Sequence, residues 1–260
     1  MIDLHSHILP GIDDGPETME ASVEIGRMAV AEGVRTIVAT PHFDGRFSPA
    51  PEEIVPLAGA LNIQLAREKI PLAIITGAEV AISRLTDLSD EALGGLALGS
   101  GTSVLVESPY ERAASSIDES LFALQVRGFT PMLAHPERSP VFHDDLNRLR
   151  ALVERGVLCS INAGSLAGEF GSTAHRFALQ LMHERLVHSV ASDAHDPVRR
   201  PPLLRPGFEA AERDLPGLSS QLDWFTGIAP AAILRGKPPP AAPAPPPLRK
   251  PVWRRLARSA

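Results

Sequence analysis

Residues Ser103-Val-Leu-Val-Glu107 form an apolar run that stops on a carboxylate, and Ala73-Ile-Ile75 is a second such run just ahead of Gly77-Ala-Glu79. A strand with one wet face would alternate apolar and polar side chains. Unbroken runs suit parallel strands buried on both faces. Working outward from these two, the signal recurs at 2–5, 35–40, 131–135, 157–162 and 187–192, which with 72–77 and 103–107 makes seven candidate strands. Helical patterns fill the gaps at 19–32, 51–68, 117–127, 146–155 and 173–184. In the first of these, Val23, Ile25, Met28 and Ala29 fit one helical face. Strands alternating with helices predict an α/β fold, a closed or nearly closed (β/α) barrel, with a doubly wound open sheet as the competing architecture.

The bulk numbers agree with one barrel. At 260 residues and 44% hydrophobic, the chain can bury a sizeable core. Its net charge of −6, from 25 basic and 31 acidic residues, argues against nucleic acid held by bulk charge. The single cysteine, Cys159, excludes an internal disulfide and suits a reducing compartment. The chain opens on Met1-Ile-Asp-Leu-His5 without the regions of a secretory signal, and no run of roughly 18 apolar residues follows, so a cytoplasmic location is expected.

Residues 237–260 differ in kind. A proline run leads to Arg249, Lys250, Trp253, Arg254, Arg255 and Arg258, with no acid. Without this tail the body holds 19 basic and 31 acidic residues, near −12. Proline favours extended polyproline II. The folded domain is therefore expected over 1–236, ending near Arg235, with 237–260 a disordered extension. The sharper reading of the tail is peripheral contact with anionic lipid through Trp253 and its cations, or engagement of an aromatic groove by the prolines.

The polar residues worth singling out fall at or just past the strand ends. They are His5-Ser6-His7 with Asp13-Asp14-Gly15, Thr40-Pro41-His42, Glu79, Glu107, His135-Pro136-Glu137-Arg138 and Ser192-Asp193-Ala194-His195. In parallel α/β folds these ends converge on one face, where sites are built. Alternate residues of an extended segment point the same way, so His5 and His7 can grip one ion, as can Asp193 and His195. Each motif alone has an ordinary reading: an incidental His-x-His, a turn at Asp13-Asp14-Gly15, a strand exit at Thr40-Pro41-His42. Their succession at strand after strand is what points to metal. Imidazole mixed with carboxylate suits zinc, manganese or iron, and Glu79 or Glu107 could bridge two ions. The ligands outnumber what one ion needs.

In this order the motifs resemble the PHP (polymerase and histidinol phosphatase) domain. More narrowly, the chain resembles the bacterial metal-dependent protein-tyrosine phosphatases of the CpsB/YwqE type, encoded with capsule or exopolysaccharide genes. The matching pieces are Met1-Ile-Asp-Leu-His-Ser-His-Ile-Leu-Pro-Gly-Ile-Asp-Asp-Gly15, Gly33-Val-Arg-Thr-Ile-Val-Ala-Thr-Pro-His42, Gly77-Ala-Glu79, His135-Pro-Glu-Arg138, Ile161-Asn-Ala-Gly-Ser165 and Ser192-Asp-Ala-His195 with Arg200-Pro-Pro202. The resemblance implies a distorted (β/α)7 barrel, the PHP fold, over 1–236. It implies three divalent ions, manganese in this subgroup, with iron or zinc compatible with the same donors. By motif, one ion takes His5, His7, Glu79 and Asp193. A second shares Glu79 and takes Glu107 and His135, and a third takes Asp14, His42 and His195. Asp13 is as able to reach as Asp14. Arg138 and Arg200 match positions for the phosphate, with Arg199 as the alternative to Arg200.

The chemistry that goes with such a site is phosphomonoester hydrolysis. Coordination lowers the pKa of water from about 15.7 to near 7, and guanidinium binds phosphate oxygens bidentately. A cysteine-dependent mechanism would need an Arg six residues after Cys159, where Ser165 stands instead. His143, His175, His183 and His188 read as structural or solvated, and Trp224 and Phe225 as packing. By the resemblance, the substrate is a tyrosine-phosphorylated protein, above all the tyrosine autokinase that controls capsular or exopolysaccharide synthesis. That partner, or the tail, could bring the protein to the membrane. The alternatives are a small-molecule phosphomonoesterase such as histidinol-phosphate phosphatase, and a non-catalytic metal-stabilised binding module.

Overall fold

The computed structural model of the protein describes residues 1–110 and 116–245. Among them are nine strands: β1 (Ile2–Ser6), β2 (Thr36–Ala39), β3 (His42–Phe43), β4 (Ala73–Thr76), β5 (Glu79–Ala81), β6 (Ser103–Glu107), β7 (Thr130–Ala134), β8 (Leu158–Asn162) and β9 (Ser189–Ala191). Every ladder is parallel. The expected helices form over Met19–Glu32, Pro51–Arg67, Ile117–Val126, Leu146–Glu154 and Gly171–His183. The first starts where Thr18 caps it, its hydroxyl accepting from the Ala21 N–H at 3.3 Å, and it buries Val23, Ile25 and Ala29.

Nine strands arise from seven because two of the seven are broken. β2 and β3 part at Thr40-Pro41, where proline offers no N–H to a ladder. β4 and β5 part at Gly77-Ala78. The halves pair in kind, giving the orders β1-β2-β4 and β3-β5-β6-β7-β8-β9. The two ends meet at a seam. Ser6 and Ala194 form an isolated parallel bridge, and the Asp193 N–H donates to the His5 carbonyl at 2.9 Å. Buried Asp3 holds the seam, accepting from the Ser192 N–H (3.0 Å) and hydroxyl (2.5 Å). One bridge in place of a ladder makes the seven-unit arrangement distorted.

The strands divide two apolar regions. Leu4, Val38, Leu105, Met132 and Leu158 form an inner cluster with Leu98 and Ile233. Residues from the alternate strand faces, such as Val104, Val106 and Leu133, pack outward with the helices. Two residues beyond Leu105 on the same face comes Glu107, and beyond Leu158 come Ser160 and Asn162. The interior is therefore apolar at the N-terminal ends of the strands and polar at the C-terminal ends, which positions the site.

The chain does not leave the body at Arg235. It runs on against it to Pro245, with Arg185 Nη2 donating to the Ala242 carbonyl (2.5 Å) and Gln221 Nε2 to that of Ala244 (2.9 Å). A cavity of about 460 Å³ lies there, lined by Arg185, His188, Trp224, Pro239 and Pro240 among others. The expected roles of Trp253 and the cations from Arg249 onward lie outside the described residues. Among those described, no helix is long and apolar enough to cross a membrane.

Candidate metal centre

All nine residues expected to hold metal meet at the C-terminal end of the strands. His5, His7, Glu79, His135, Asp193 and His195 are buried, His42 and Glu107 partly so, and Asp14 is the most exposed. Local backbone explains several placements. His42 on β3 is in register with Glu79 on β5, so their side chains meet, Nδ1 to Oε2 at 3.2 Å. His5 sits within a register shift between Asp3 and Ser6, the kind of irregularity that re-aims a side chain beside a site. His135 (φ 35°) and Asp193 (φ 54°) adopt left-handed backbone, rare for residues with a Cβ and common where a site overrules local preference. Gly15 closes the Asp13-Asp14 turn against the His7 carbonyl, where a β-carbon would come within 2.2 Å.

The distances suit ions. His5 Nε2 lies 3.2 Å from His7 Nε2, 3.2 Å from Glu79 Oε2 and 3.4 Å from Asp193 Oδ1. His7 Nε2 lies 3.4 and 3.5 Å from the same two oxygens. An ion about 2.1 Å from each donor sets donor–donor edges of roughly 3.0 Å in an octahedron and 3.4 Å in a tetrahedron. Asp14 Oδ1 stands 3.5 Å from His42 Nε2 and 3.4 Å from His195 Nε2, a second such arrangement. Glu79 turns its other oxygen to His135 Nε2 at 2.8 Å, and so reaches two clusters. Glu107 falls with His42 and Glu79, and His135 with His5 and Glu79, so these two ligands of one expected ion occupy separate groups. Buried His5 Nδ1, His42 Nδ1, Glu79 Oε2 and His195 Nε2 have no hydrogen-bond partner among the described residues. Orphaned polar atoms at one place are costly unless a cation completes them.

Charge balance within the cluster is uneven. Burial would raise Glu79 and Asp193, but the surrounding imidazoles, with Arg200 at Asp193, hold both well below the usual carboxylate range. Burial and the Glu79 charge push Glu107 up to about 7. Burial and the nearby His7 push His195 down to about 3.

Contacts distinguish the members of two pairs, Asp13 from Asp14 and Arg199 from Arg200. Asp13 belongs to no ligand group; its Oδ2 accepts from His7 Nδ1 at 2.7 Å and from the His42 N–H at 3.1 Å. Its contact turns His7 Nε2 toward the centre, whereas Asp14 Oδ1 lies with His42 and His195 in a group that could hold an ion. Arg200, rather than exposed Arg199, reaches the site, bonding Asp193 Oδ2 through Nη2. Arg138 Nη1 lies 3.4 Å from the same oxygen. Asp193 thus shows Oδ1 to the histidines and Oδ2 to the arginines and Asn162, whose Nδ2 donates at 2.7 Å.

The sequence reading assigned no role to Asn162, Glu137, Tyr110 or Phe170. Buried Glu137 accepts from the Asn162 N–H (2.9 Å) and the Ser165 hydroxyl (2.7 Å), tying β8 to the His135 loop. Their motifs were visible, but partners that distant in sequence were not. Cys159 is fully buried on β8, and burial raises its thiol, in keeping with a packing role.

Residues 1–217 match the model of the family described as capsular polysaccharide synthesis, CpsB/CapC. The chain belongs to the CpsB/CapC family. Among relatives, the tyrosine-protein phosphatase YwqE of Bacillus subtilis is 39% identical over 199 residues, 75% of this chain and 78% of that one. CpsB of Streptococcus pneumoniae, also a tyrosine-protein phosphatase, is 30% identical over 217 residues, 80% of this chain and 88% of that one. Crystal structures of YwqE and S. pneumoniae CpsB, described as unique metal-dependent tyrosine phosphatases, include a match with TM-score 0.83 at 34% identity, covering 96% of this chain and 100% of that one. A lactonase from Listeria monocytogenes, at TM-score 0.59 and 11% identity over 91% of this chain and 94% of that one, shares the fold alone. The expected CpsB/YwqE resemblance and α/β fold hold for this CpsB/CapC member.

Proposed function

We propose that this CpsB/CapC protein is a metal-dependent protein-tyrosine phosphatase acting on a tyrosine-phosphorylated protein. We take the tyrosine autokinase that controls capsular or exopolysaccharide synthesis as its substrate. The observation that carries the reading is the arginine pair, Arg138 and Arg200, sharing Asp193 Oδ2 beside a cluster of nine potential ligands. The relatives' activity supports the phosphotyrosine assignment.

In this reading His5, His7, Glu79 and Asp193 hold one ion. Asp14, His42 and His195 hold another; Glu79 serves a third with His135, while Glu107 stands apart with His42 and Glu79. Manganese is the expected metal, and iron or zinc fits the same donors. Such ions would supply Lewis acidity toward the phosphate and an acidified water as nucleophile. The chain's own part is to bind and orient. Arg138 and Arg200 grip the phosphate oxygens and neutralise charge that grows at the transition state. Asn162 keeps Asp193 turned so that one oxygen stays with the histidines.

The test pairs elemental analysis of protein purified without chelator with turnover of a tyrosine-phosphorylated peptide against histidinol phosphate. Bound transition metal with preference for the peptide is expected. Preference for histidinol phosphate would move the reading to a small-molecule phosphatase. No turnover of either with manganese present would leave only a binding module.

A further inference from the structure

The two arginines beside Asp193 share an aromatic ring. Arg138 Cζ lies 4.2 Å from the Phe170 ring centroid and Arg200 Cζ 5.9 Å from the same centroid. Arg138 also lies 5.4 Å from the ring of Tyr110, which stacks on His135 at 5.7 Å and 23°. Neither ring belongs to the apolar core. Phe170 is partly buried, and Tyr110, the chain's one tyrosine, is 48% exposed. Phe170 thus borders both arginines, and Tyr110 borders Arg138 while its hydroxyl stands 3.5 Å from His135 Nδ1.

Local structure commits Phe170 to this place. It stands between the helices Ala163–Ala167 and Gly171–His183. Gly164 leaves room for it, since a β-carbon there would come within 2.9 Å of Phe170 Cε2. A guanidinium lying over a ring is held by the ring's negative face while its edge donors stay free. Arg200 Nε is such a donor, buried and without a hydrogen-bond partner among the described residues. Arginines already fixed in position lose less freedom on gripping an anion, which is preorganisation.

We infer that Phe170 is the positioning residue for the Arg138–Arg200 pair, and that Tyr110 is the wall on which the ring of an aromatic phosphoester lies. Half-exposed Tyr110 adjoins both His135 and Arg138, so a phosphate between the arginines and the metal end would leave its ester group beside Tyr110. A flat aryl group gains from offset stacking there; a seryl ester does not reach across it. The inference rests on the phosphatase reading for substrate, but its first half concerns phosphate binding alone.

The test uses the full-length, metal-loaded protein, with folding checked by thermal melts. Phe170→Leu keeps apolar bulk and removes the ring; Phe170→Tyr keeps the ring. Calorimetric affinity for inorganic phosphate should fall about tenfold in Phe170→Leu and stay within about twofold of wild type in Phe170→Tyr. KM should rise for phosphotyrosine and phosphoserine peptides alike. Tyr110→Leu should cut the preference for phosphotyrosine over phosphoserine peptide by roughly fivefold, and Tyr110→Phe, which keeps the ring, should retain that preference. Wild-type phosphate affinity in Phe170→Leu, or equal losses in both Phe170 variants, overturns the positioning role. An unchanged preference in Tyr110→Leu overturns the wall. A wild-type protein that turns over neither peptide refutes the phosphatase reading instead, and with it the wall, while the phosphate measurement still decides Phe170.

Discussion

His188 precedes β9 and His195 follows it, so one short strand carries a histidine at each end of the barrel. Burial lowers the pKa of both, to about 4 for His188 and, with His7 adding repulsion, to about 3 for His195. Their partners differ. His188 Nδ1 accepts from the Cys159 N–H at 3.1 Å, closing a backbone group between β8 and β9. His195 Nε2 has no hydrogen-bond partner among the described residues and stands 3.4 Å from Asp14 Oδ1. A depressed pKa marks both a satisfied structural histidine and a waiting ligand; what separates them is whether the lone pair is already spoken for.

The strongest attempt to break this contrast is His135→Ala at the open end. Initial rates on a tyrosine-phosphorylated peptide should fall by about a thousandfold or more, because several kcal/mol of charge stabilisation go with the site. Circular dichroism should show the fold retained, and a variant with full activity would refute the site. Asp13→Asn probes the same end one step removed. It leaves the ligand set intact but loosens the orientation of His7, so metal affinity should drop by about 10- to 100-fold, measured by competition with a chelator.

The closed end predicts a pH effect on stability in place of activity. Folding holds His188 neutral to about pH 4, whereas the unfolded chain protonates it near its ordinary value of about 6.5. The unfolded state therefore binds the extra proton between those values, and stability present above about pH 6.5 is lost as pH falls toward 4. Between pH 7 and 4.5 the wild type should lose on the order of 2 kcal/mol more than His188→Asn in urea unfolding. Equal losses would show that His188 is not held neutral. Smallest of all, Arg185→Ala should release the strand of tail at Ala242 and lower stability by about 1 kcal/mol, with turnover unchanged.

The same contrast bears on what could be read from residues alone. Unbroken runs such as Ser103-Val-Leu-Val placed the parallel strands, and polar residues at their ends placed all nine potential ligands, because period and position are local properties. The breaks at Pro41 and Gly77-Ala78 look like ordinary strand exits until β3 and β5 are seen to pair. Asp13 and Asp14 are interchangeable as letters, and only the 2.7 Å contact to His7 tells them apart. Tyr110 and Phe170 sit in loops with no periodicity to flag them. The prolines after Lys237 set the tail apart in sequence, yet that its described part lies on the body depends on Arg185 and Gln221, which composition does not reveal.

Asp3 and Ser192, joined across the seam, are 189 residues apart. β1 carries His5 and leads directly into His7, and β9, its neighbour across the seam, comes latest of the nine described strands. Seven of the nine potential ligands precede β9 in the chain and must wait for Asp193 and His195 to be made. A nascent or truncated chain that lacks β9 has His5, His7 and Glu79 but no Asp193 or His195. The full set of potential ligands exists only once the chain through His195 has been made.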